Sequence, residues 1–259
     1  MSTVSGPPPT IEFHGVSYSL SDGRPILHPL SLSVEHGETL VLLGRSGAGK
    51  TTLLKLVNRL LDPSGGEVQV NGRATSGLDP IRLRRGIGYA IQEVGLFPHL
   101  TVEKNIGLLP RVEGWPPERT HRRVSELLDL VGLGAGLGSR YPHQLSGGQR
   151  QRVGVARALV IDPPILLMDE PFGALDPITR TEIRSEFQLL QRRLKKTILF
   201  VTHDLHEALH LATRIAFFEA GRLLGTYTPA EFLGDPHPMI TAYRNAFDAG
   251  PQSRPDGSG

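Results

Sequence analysis

Apolar residues divide the first quarter of the chain into short strands followed by one helix. Between residues 11 and 34, apolar and polar positions alternate in short stretches separated by turn residues, which is typical of antiparallel strands. The apolar residues that end a predicted strand at 39–43 run directly into a glycine-rich turn. Leucines at helical spacing then predict a helix over residues 51–61. This strand–loop–helix is the opening unit of a parallel α/β sheet.

The remainder of the chain alternates between further strands and one long helical stretch. Several strands are apolar throughout, as expected of strands covered on both faces of a sheet. Between residues 101 and 160 the pattern is mostly helical, and we interpret this portion as an insertion into an α/β core. The further strands are predicted at residues 68–70, 87–91, 165–168, 198–201 and 215–218.

Composition is that of an ordinary soluble protein. Of the 259 residues, 39% are hydrophobic and 21% are charged, which is enough for a large buried core. A formal net charge of +2 gives little reason to expect a nucleic-acid partner. Cysteine is absent, so disulfides, thiolate catalysis and Cys-based zinc sites are excluded. The sequence shows neither a signal-peptide pattern nor an apolar run of the roughly 18 residues that cross a bilayer.

The glycine-rich turn is a candidate phosphate-binding loop. Its glycines let several backbone N–H groups turn inward around phosphate oxygens, and the start of the following helix adds partial positive charge. Lys50 is expected to reach the β- and γ-phosphates, and the Thr51 hydroxyl to bind magnesium. The alternative, a glycine-rich turn that binds nothing, is disfavoured by the flanking strand and helix. The sequence matches the P-loop pattern in full: Gly44-Arg45-Ser46-Gly47-Ala48-Gly49-Lys50-Thr51.

Two carboxylates end the predicted strand at 165–168. A buried strand that runs into Asp169 and Glu170 is costly as packing, because unpaired buried charge is unfavourable. The pattern is explained if Asp169 holds magnesium, directly or through water, and Glu170 polarises an attacking water. An exposed acidic turn is the alternative.

A third motif, Leu145-Ser146-Gly147-Gly148-Gln149, lies between the first two. Ser146 is suited to cap the following helix and to leave free N–H groups at its tip, although it could be a helix cap and nothing more. In this order the three motifs resemble the nucleotide-binding subunits of ATP-binding cassette (ABC) transporters over residues 11–233. The resemblance implies a P-loop NTPase (RecA-like) α/β core with an N-terminal antiparallel β subdomain and an inserted helical subdomain.

The resemblance also implies a composite site and further site residues. Two copies pair head to tail, so that residues 146–148 of one meet the γ-phosphate on the P-loop of the other. By the same resemblance Tyr18 stacks on adenine, Gln92 senses magnesium and water, and His203 contacts the γ-phosphate. Outside the family pattern these would be ordinary core or surface residues. The implied catalytic residues are Glu170, His203 and Gln92, and the implied magnesium ligands are Thr51, Gln92 and Asp169. The residues implied to bind ATP are Tyr18, Gly44, Arg45, Ser46, Gly47, Ala48, Gly49, Lys50, Thr51, Thr52, Ser146, Gly147, Gly148, Gln149 and Asp176.

Four stretches are similar to the importer subfamily for quaternary amines such as glycine betaine, choline and carnitine. That similarity implies uptake of a small solute, which an extracytoplasmic binding protein delivers to the transporter. It also implies that the chain lies on the cytoplasmic face of the membrane. An apolar groove at residues 93–100 is then expected to receive a helix of the permease. Many members carry additional C-terminal regulatory domains, which are not expected here. The similar stretches are residues 55–60, 91–106, 141–145 and 170–177.

Three alternatives stay open at this point. The importer could serve another small solute, or the chain could be an ABC ATPase that acts outside transport. Residues 206–210 also match the H-E-x-x-H zinc-protease motif. One departure from the family pattern lies at residues 225–231, where the usual Gly-Thr-Pro-Glu is interrupted. The predicted division is a disordered terminus at 1–10, core at 11–92 and 161–225, helical subdomain at 93–160, and a C-terminal extension at 234–259 whose last ten residues are disordered.

Overall fold

The computed structural model describes residues 9–91, 95–173 and 175–248. Strands and helices alternate along the chain after an all-β beginning. The strands are β1 (Ile11–Ser19), β2 (Pro25–Val34), β3 (Thr39–Gly44), β4 (Gly65–Val70), β5 (Arg73–Ala74), β6 (Ile87–Ala90), β7 (Ile165–Asp169), β8 (Thr197–Thr202), β9 (Arg214–Glu219) and β10 (Arg222–Tyr227). The α-helices are α1 (Lys50–Val57), α2 (Pro80–Arg85), α3 (Val102–Ile106), α4 (Leu108–Val112), α5 (Pro117–Leu130), α6 (Gly147–Leu159), α7 (Pro177–Leu194), α8 (Leu205–Leu211), α9 (Pro229–Gly234) and α10 (Pro238–Asp248).

Two sheets organise the fold. The N-terminal sheet is antiparallel, in the order β2-β1-β4-β5. The second sheet has the order β10-β9-β3-β8-β7-β6 and is parallel except for β10. Strands β3, β7 and β8 are buried along their whole length, because helices or the first sheet cover both faces. The carboxyl ends of these three strands therefore meet at one edge, where ligands of open α/β sheets bind.

The helix predicted at 51–61 is α1. It begins one residue earlier and ends four residues earlier than predicted. The chain turns at Arg59, which has the left-handed φ of +52°. The Arg59 guanidinium then donates to the carbonyls of Thr75 and Leu78, at 3.2 and 2.9 Å. These contacts come from a distant segment, so the leucine spacing alone could not place the helix end. Strands β5 and β10 were not among the predicted strands, and β10 is a half-exposed edge strand.

The middle of the chain is helical, as predicted. The 14-residue helix α5 buries one face, including Val124 and Leu127. Helix α6 packs on β6 through Gly88, where an added Cβ would lie 2.3 Å from the Ala158 carbonyl oxygen. This close approach joins the helical portion to the parallel sheet. Among the helices in the described ranges, none combines the length and the apolar character needed to cross a bilayer.

The two ends of the described chain are ordered parts of the fold. Thr10, predicted to be disordered, is buried, and its N–H donates to the Val34 carbonyl at 2.8 Å, which extends the β1–β2 ladder. Helices α9 and α10 pack on β9, with Phe232 and Ile240 fully buried. The predicted disorder of residues 1–8 and 250–259 concerns residues outside the described ranges.

Candidate functional site

The glycine-rich loop joins β3 to α1 as predicted. Gly47 and Gly49 have φ of +81° and +89°, the region in which only glycine is unstrained. A Cβ at Gly49 would lie 2.5 Å from the Leu27 side chain, and one at Gly44 would lie 2.1 Å from the Phe218 carbonyl oxygen. Gly44 and Gly49 therefore leave no space for a side chain, whereas Gly47, whose Cβ would meet nothing within 4 Å, requires glycine for its backbone conformation alone.

Lys50 is held inside this loop. Its side chain is buried, and Nζ donates to the carbonyls of Gly44 and Arg45, at 2.7 and 2.8 Å. Burial lowers the pKa of Lys50, while the nearby carboxylates of Glu170 and Asp169 oppose that shift. The loop carbonyls thus hold an ammonium group next to two carboxylates and beside the backbone groups of the loop. A bound polyphosphate would give this cation a stronger, charged acceptor.

Thr51 and Asp169 bring hard oxygen donors together at the carboxyl ends of β3 and β7. The Thr51 hydroxyl donates to Asp169 Oδ1 at 2.8 Å. Burial raises the pKa of Asp169, and the hydrogen bond from Thr51 opposes this shift. A hydroxyl beside a carboxylate is a donor set that suits Mg²⁺. Gln92, the third predicted magnesium ligand, lies outside the described residues.

Tyr89 is a member of the site that the sequence did not indicate. It lies on β6, the neighbour of β7, and its hydroxyl lies near the Asp169 carboxylate. Burial, followed by the charge of Asp169, raises the pKa of this tyrosine, so the hydroxyl stays protonated. The only sequence signal was its place within the strand predicted at residues 87–91.

The side chains of Glu170 and His203 are in contact at the same edge of the sheet. His203 Nδ1 lies 3.1 Å from Glu170 Oε2, with the glutamate side chain 13% exposed and the histidine side chain 46% exposed. Glu170 has a left-handed φ of +44°, and its N–H donates to the Val201 carbonyl at 3.0 Å. A non-glycine residue in this region is strained, and such strain concentrates at functional sites. The geometry leaves a nearly buried carboxylate aimed at a histidine on the rim.

Arg180 connects the loop after β7 to the loop after β8. Its guanidinium donates to the Leu175 carbonyl at 2.9 Å and pairs with Asp204 at 3.6 Å. Asp176, one of the predicted ATP-site residues, is exposed and lies just before α7, where its carbonyl accepts from the Arg180 N–H. The segments that carry Asp176 and His203 are therefore joined by one cation.

The predicted cap on α6 is present. Ser146 Oγ accepts from the Gln149 N–H at 3.2 Å, and the Gln149 side chain accepts from the Ser146 N–H at 3.0 Å. This reciprocal capping box fixes the start of a 13-residue helix whose tip is exposed at Ser146. An exposed helix start with free N–H groups favours an anion.

Tyr18 lies near the loop but is partly packed. It pairs with Leu27 across the β1–β2 ladder, and Leu27 is the side chain that closes on Gly49. The ring is half-buried against the apolar cluster of the first sheet. The stacking of Tyr18 on adenine stays a prediction.

The H-E-x-x-H segment does not form a metal centre in the structure. Glu207, the residue that would act as base, is buried and accepts from the Thr202 hydroxyl at 2.5 Å. The ring of His206 packs against Phe247. Within the described ranges, no cluster of three or more His, Asp or Glu side chains could hold a metal ion. The segment is an ordinary helix turn, α8, that packs beneath the His203 loop.

Glu207 makes the free energy of unfolding depend on pH. Burial raises its pKa from 4.5 to about 7, so folding favours the neutral carboxyl. The resulting stability is fully present below the unfolded pKa and is lost as pH rises through the folded pKa. Between pH 5 and 8 we expect the free energy of unfolding to fall by at most about 3 kcal/mol from this group. In Glu207→Gln this loss should disappear.

Urea unfolding of both proteins at pH 5, 6, 7 and 8 measures the difference. Glu126→Gln is the matched control, because Glu126 is an exposed carboxylate on a helix with an ion-pair partner. Equal pH slopes in the wild type and Glu207→Gln would contradict the raised pKa.

The comparisons with known proteins agree with this geometry. A family model described as ABC transporter matches residues 27–173, more than half of the chain. The chain belongs to the ABC transporter family. The matched segment includes the P-loop, the capped start of α6, and both Asp169 and Glu170. Tyr18 and His203 lie outside that segment of this ABC cassette.

Relatives share about half of their aligned residues with the cassette. It is 47% identical over 246 residues, 95% of the chain, to the glycine betaine/carnitine/choline transport ATP-binding protein OpuCA of Bacillus subtilis. It is 51% identical over 217 residues, 83% of the chain, to the osmoprotectant import ATP-binding protein OsmV of Salmonella typhimurium. These alignments cover 65% and 57% of the two relatives, so the chain spans about three fifths of their length.

Solved ABC structures confirm the fold. The chain aligns with cbiO1 of Clostridium perfringens, part of the ABC transporter complex cbiONQ, with a TM-score of 0.80 and 28% identity over 88% of this chain and 91% of that one. It aligns with the cassette MJ0796 in a dimeric, post-hydrolysis state bound to ADP and Pi, with a TM-score of 0.76 and 32% identity over 85% of this chain and 98% of that one. The predicted P-loop NTPase fold class is correct.

The family departure at residues 225–231 has a local structural explanation. Tyr227 ends β10, and Thr228 caps α9 in a capping box with Glu231. Thr228 Oγ1 accepts from the Glu231 N–H at 3.3 Å, and the Glu231 carboxylate accepts from the Thr228 N–H at 2.7 Å. The altered sequence therefore still joins a strand to a well-capped helix.

Proposed function

We propose that this chain hydrolyses ATP as the energy-supplying subunit of an ABC importer for a small solute. The observation that carries the proposal is the Glu170–His203 pair at 3.1 Å, next to a P-loop whose lysine is already placed. A carboxylate, a histidine and a phosphate-binding cation at one sheet edge are what hydrolysis of a phosphoanhydride requires.

The roles of the individual residues follow from their positions. The loop N–H groups and Lys50 hold the β- and γ-phosphates, and Thr51 and Asp169 hold Mg²⁺. When bound, the metal neutralises negative charge on the phosphate oxygens. Glu170 accepts a proton from the attacking water, and His203 contacts the γ-phosphate. Tyr18 stacks on the adenine.

The proposed active form is a head-to-tail dimer. Ser146 lies at an exposed helix start, and its neighbours Gly147 and Gly148 add free N–H groups. In the dimer these groups of one copy meet the γ-phosphate held by the other. Supporting this, the related cassette MJ0796 is described as dimeric with ADP and Pi. ATP then stabilises the association, and its hydrolysis weakens it.

The membrane context is also a proposal. A permease binds the cassette on the cytoplasmic face of the membrane through residues 93–100, and an extracytoplasmic protein delivers the solute. Phe97 is 43% exposed in this region. We propose a quaternary ammonium osmoprotectant as the solute, supported by the names of the relatives OpuCA and OsmV. The division into a cassette at 11–233 with a helical subdomain at 93–160 belongs to the same proposal.

Lys50→Ala tests the nucleotide site. Deleting the cation removes charge-assisted hydrogen bonds to phosphate, so we expect ATP affinity and turnover to fall at least about tenfold. Fluorescent-nucleotide binding and phosphate release by the purified chain measure both quantities. Lys104→Ala is the control, because Lys104 is an exposed lysine on α3. Unchanged binding in Lys50→Ala would contradict the assigned site.

The same variant tests the solute class in cells. Deleting the gene should abolish uptake of labelled glycine betaine, which wild type restores and Lys50→Ala does not. If the purified chain hydrolyses ATP while uptake of glycine betaine, choline and carnitine is untouched by the deletion, the proposed solute class is wrong and the ATPase assignment stands.

A further inference from the structure

Helix α10 contacts His203 through Tyr243, which lies 40 residues later in the sequence. The Tyr243 hydroxyl donates to the His203 carbonyl oxygen at 2.6 Å. On the other side of the same residue, His203 Nδ1 lies 3.1 Å from Glu170 Oε2. His203 thus accepts a hydrogen bond from α10 at its backbone carbonyl and contacts Glu170 through its ring.

The loop around His203 is otherwise held by contacts to the residues on either side of His203. The Asp204 N–H donates to Thr202 Oγ1 at 2.9 Å, and the Asp204 side chain caps α8. Arg180 pairs with the same aspartate. These contacts fix the residues before and after His203, whereas the contact on its own carbonyl comes from Tyr243. The backbone orientation of His203 therefore depends on α10.

The position of Tyr243 is set by packing. Its side chain is buried, with the ring edge-on to Phe217 at 5.2 Å and stacked on Phe247 at 5.9 Å between centroids. Burial, with nearby carboxylates including Asp204 and Glu170, raises the pKa of Tyr243, so its hydroxyl remains a donor. A rigid donor with two restricted torsions loses little entropy when it holds a loop.

We propose that Tyr243 is a positioning residue for ATP hydrolysis, which holds His203 at Glu170 and makes α10 part of the catalytic machinery. The proposal rests on the proposed ATPase function. A buried tyrosine hydroxyl normally finds some partner, so a merely structural role would give the same hydrogen bond. The experiment must therefore separate positioning from packing.

Tyr243→Phe removes the hydroxyl and keeps the ring. A lost hydrogen bond of ordinary strength predicts a fall in kcat for MgATP of about threefold to tenfold, with KM for ATP unchanged because the P-loop is untouched. Amide hydrogen exchange of residues 202–205 should accelerate by a similar factor. The matched control is Tyr227→Phe, the same change in a half-buried tyrosine edge-on to Phe232 in the same aromatic cluster.

The two readouts separate the possible failures. Positioning is supported if Tyr243→Phe alone lowers kcat and loosens residues 202–205 at a melting temperature equal to that of Tyr227→Phe. It is overturned if exchange or kcat matches the control, or if KM rises while kcat is kept. If the wild-type chain shows no ATP turnover, the proposed function is refuted. If amide exchange in Tyr243→Phe is nevertheless faster, Tyr243 stabilises the His203 loop but has no role in catalysis.

Discussion

Glu170→Gln should abolish ATP turnover and leave a chain that accumulates as an ATP-bound dimer. The amide keeps the size of the carboxylate and can still bond to His203, but it cannot accept a proton from water. Loss of a general base costs about 100-fold to 10,000-fold in rate. Because Lys50 and the P-loop are unchanged, ATP still binds and still holds two copies together. Phosphate release and light scattering with and without ATP measure the two effects.

The control for this variant is Glu67→Gln. Glu67 is an exposed carboxylate on β4, in the N-terminal sheet, and is not one of the site residues. This control variant should hydrolyse ATP at the wild-type rate and dimerise only transiently. Turnover by Glu170→Gln at more than about a tenth of the wild-type rate would refute Glu170 as the base. Loss of both turnover and ATP binding would indicate instead that the left-handed conformation at residue 170 had been disrupted.

Residues next to each other in sequence made much of the site predictable. Lys50 and Thr51 follow a loop whose glycines have a single structural explanation, and Asp169 ends an apolar strand that could only be buried. Parallel pairing of β3, β8 and β7 then brings Thr51 to within 2.8 Å of Asp169. Local pattern and sheet topology together were enough for this part.

Residues whose roles depend on tertiary contacts were not predictable. Tyr89 is a half-buried and Tyr243 a buried aromatic residue, and in sequence neither differs from the core residues that occupy most such positions. Arg180 is one of several arginines on α7, and only the fold shows that it joins Leu175 to Asp204. The early end of α1 likewise depends on the distant contacts of Arg59 with Thr75 and Leu78. In each case a partner more than 15 residues away, or on another element, decides the outcome.

The structure also explains why ATP binding and ATP hydrolysis should separate by mutation. Lys50 and Thr51 belong to the loop and helix after β3, whereas Glu170 and His203 follow β7 and β8. The loops of Glu170 and His203 are joined by the contact between these two side chains, and Arg180 links the His203 loop to the start of α7. Changes in this second group alter the position of the proposed base without removing the phosphate contacts of Lys50 and the P-loop.

Ser146→Arg should prevent dimer closure while leaving ATP binding intact. Ser146 is exposed, so a single chain accommodates the arginine, but in the head-to-tail dimer that side chain would occupy the place of the partner's γ-phosphate contact. We expect ATP affinity within about twofold of wild type and turnover reduced at least about 100-fold, since the site lacks its second half. In a Glu170→Gln background the variant should stay monomeric with ATP.

Two controls separate the added bulk from the lost helix cap. Ser146→Ala removes the cap on α6, which costs about 1 kcal/mol of stability, but adds no side chain that reaches across the interface. Ser76→Arg adds an arginine at another exposed serine. If Ser146→Arg hydrolyses ATP at the wild-type rate, each chain completes its own site and the composite dimer is wrong. If Ser146→Ala is as inactive as Ser146→Arg, loss of the Ser146 hydroxyl, rather than the bulk of the arginine, accounts for the lost turnover.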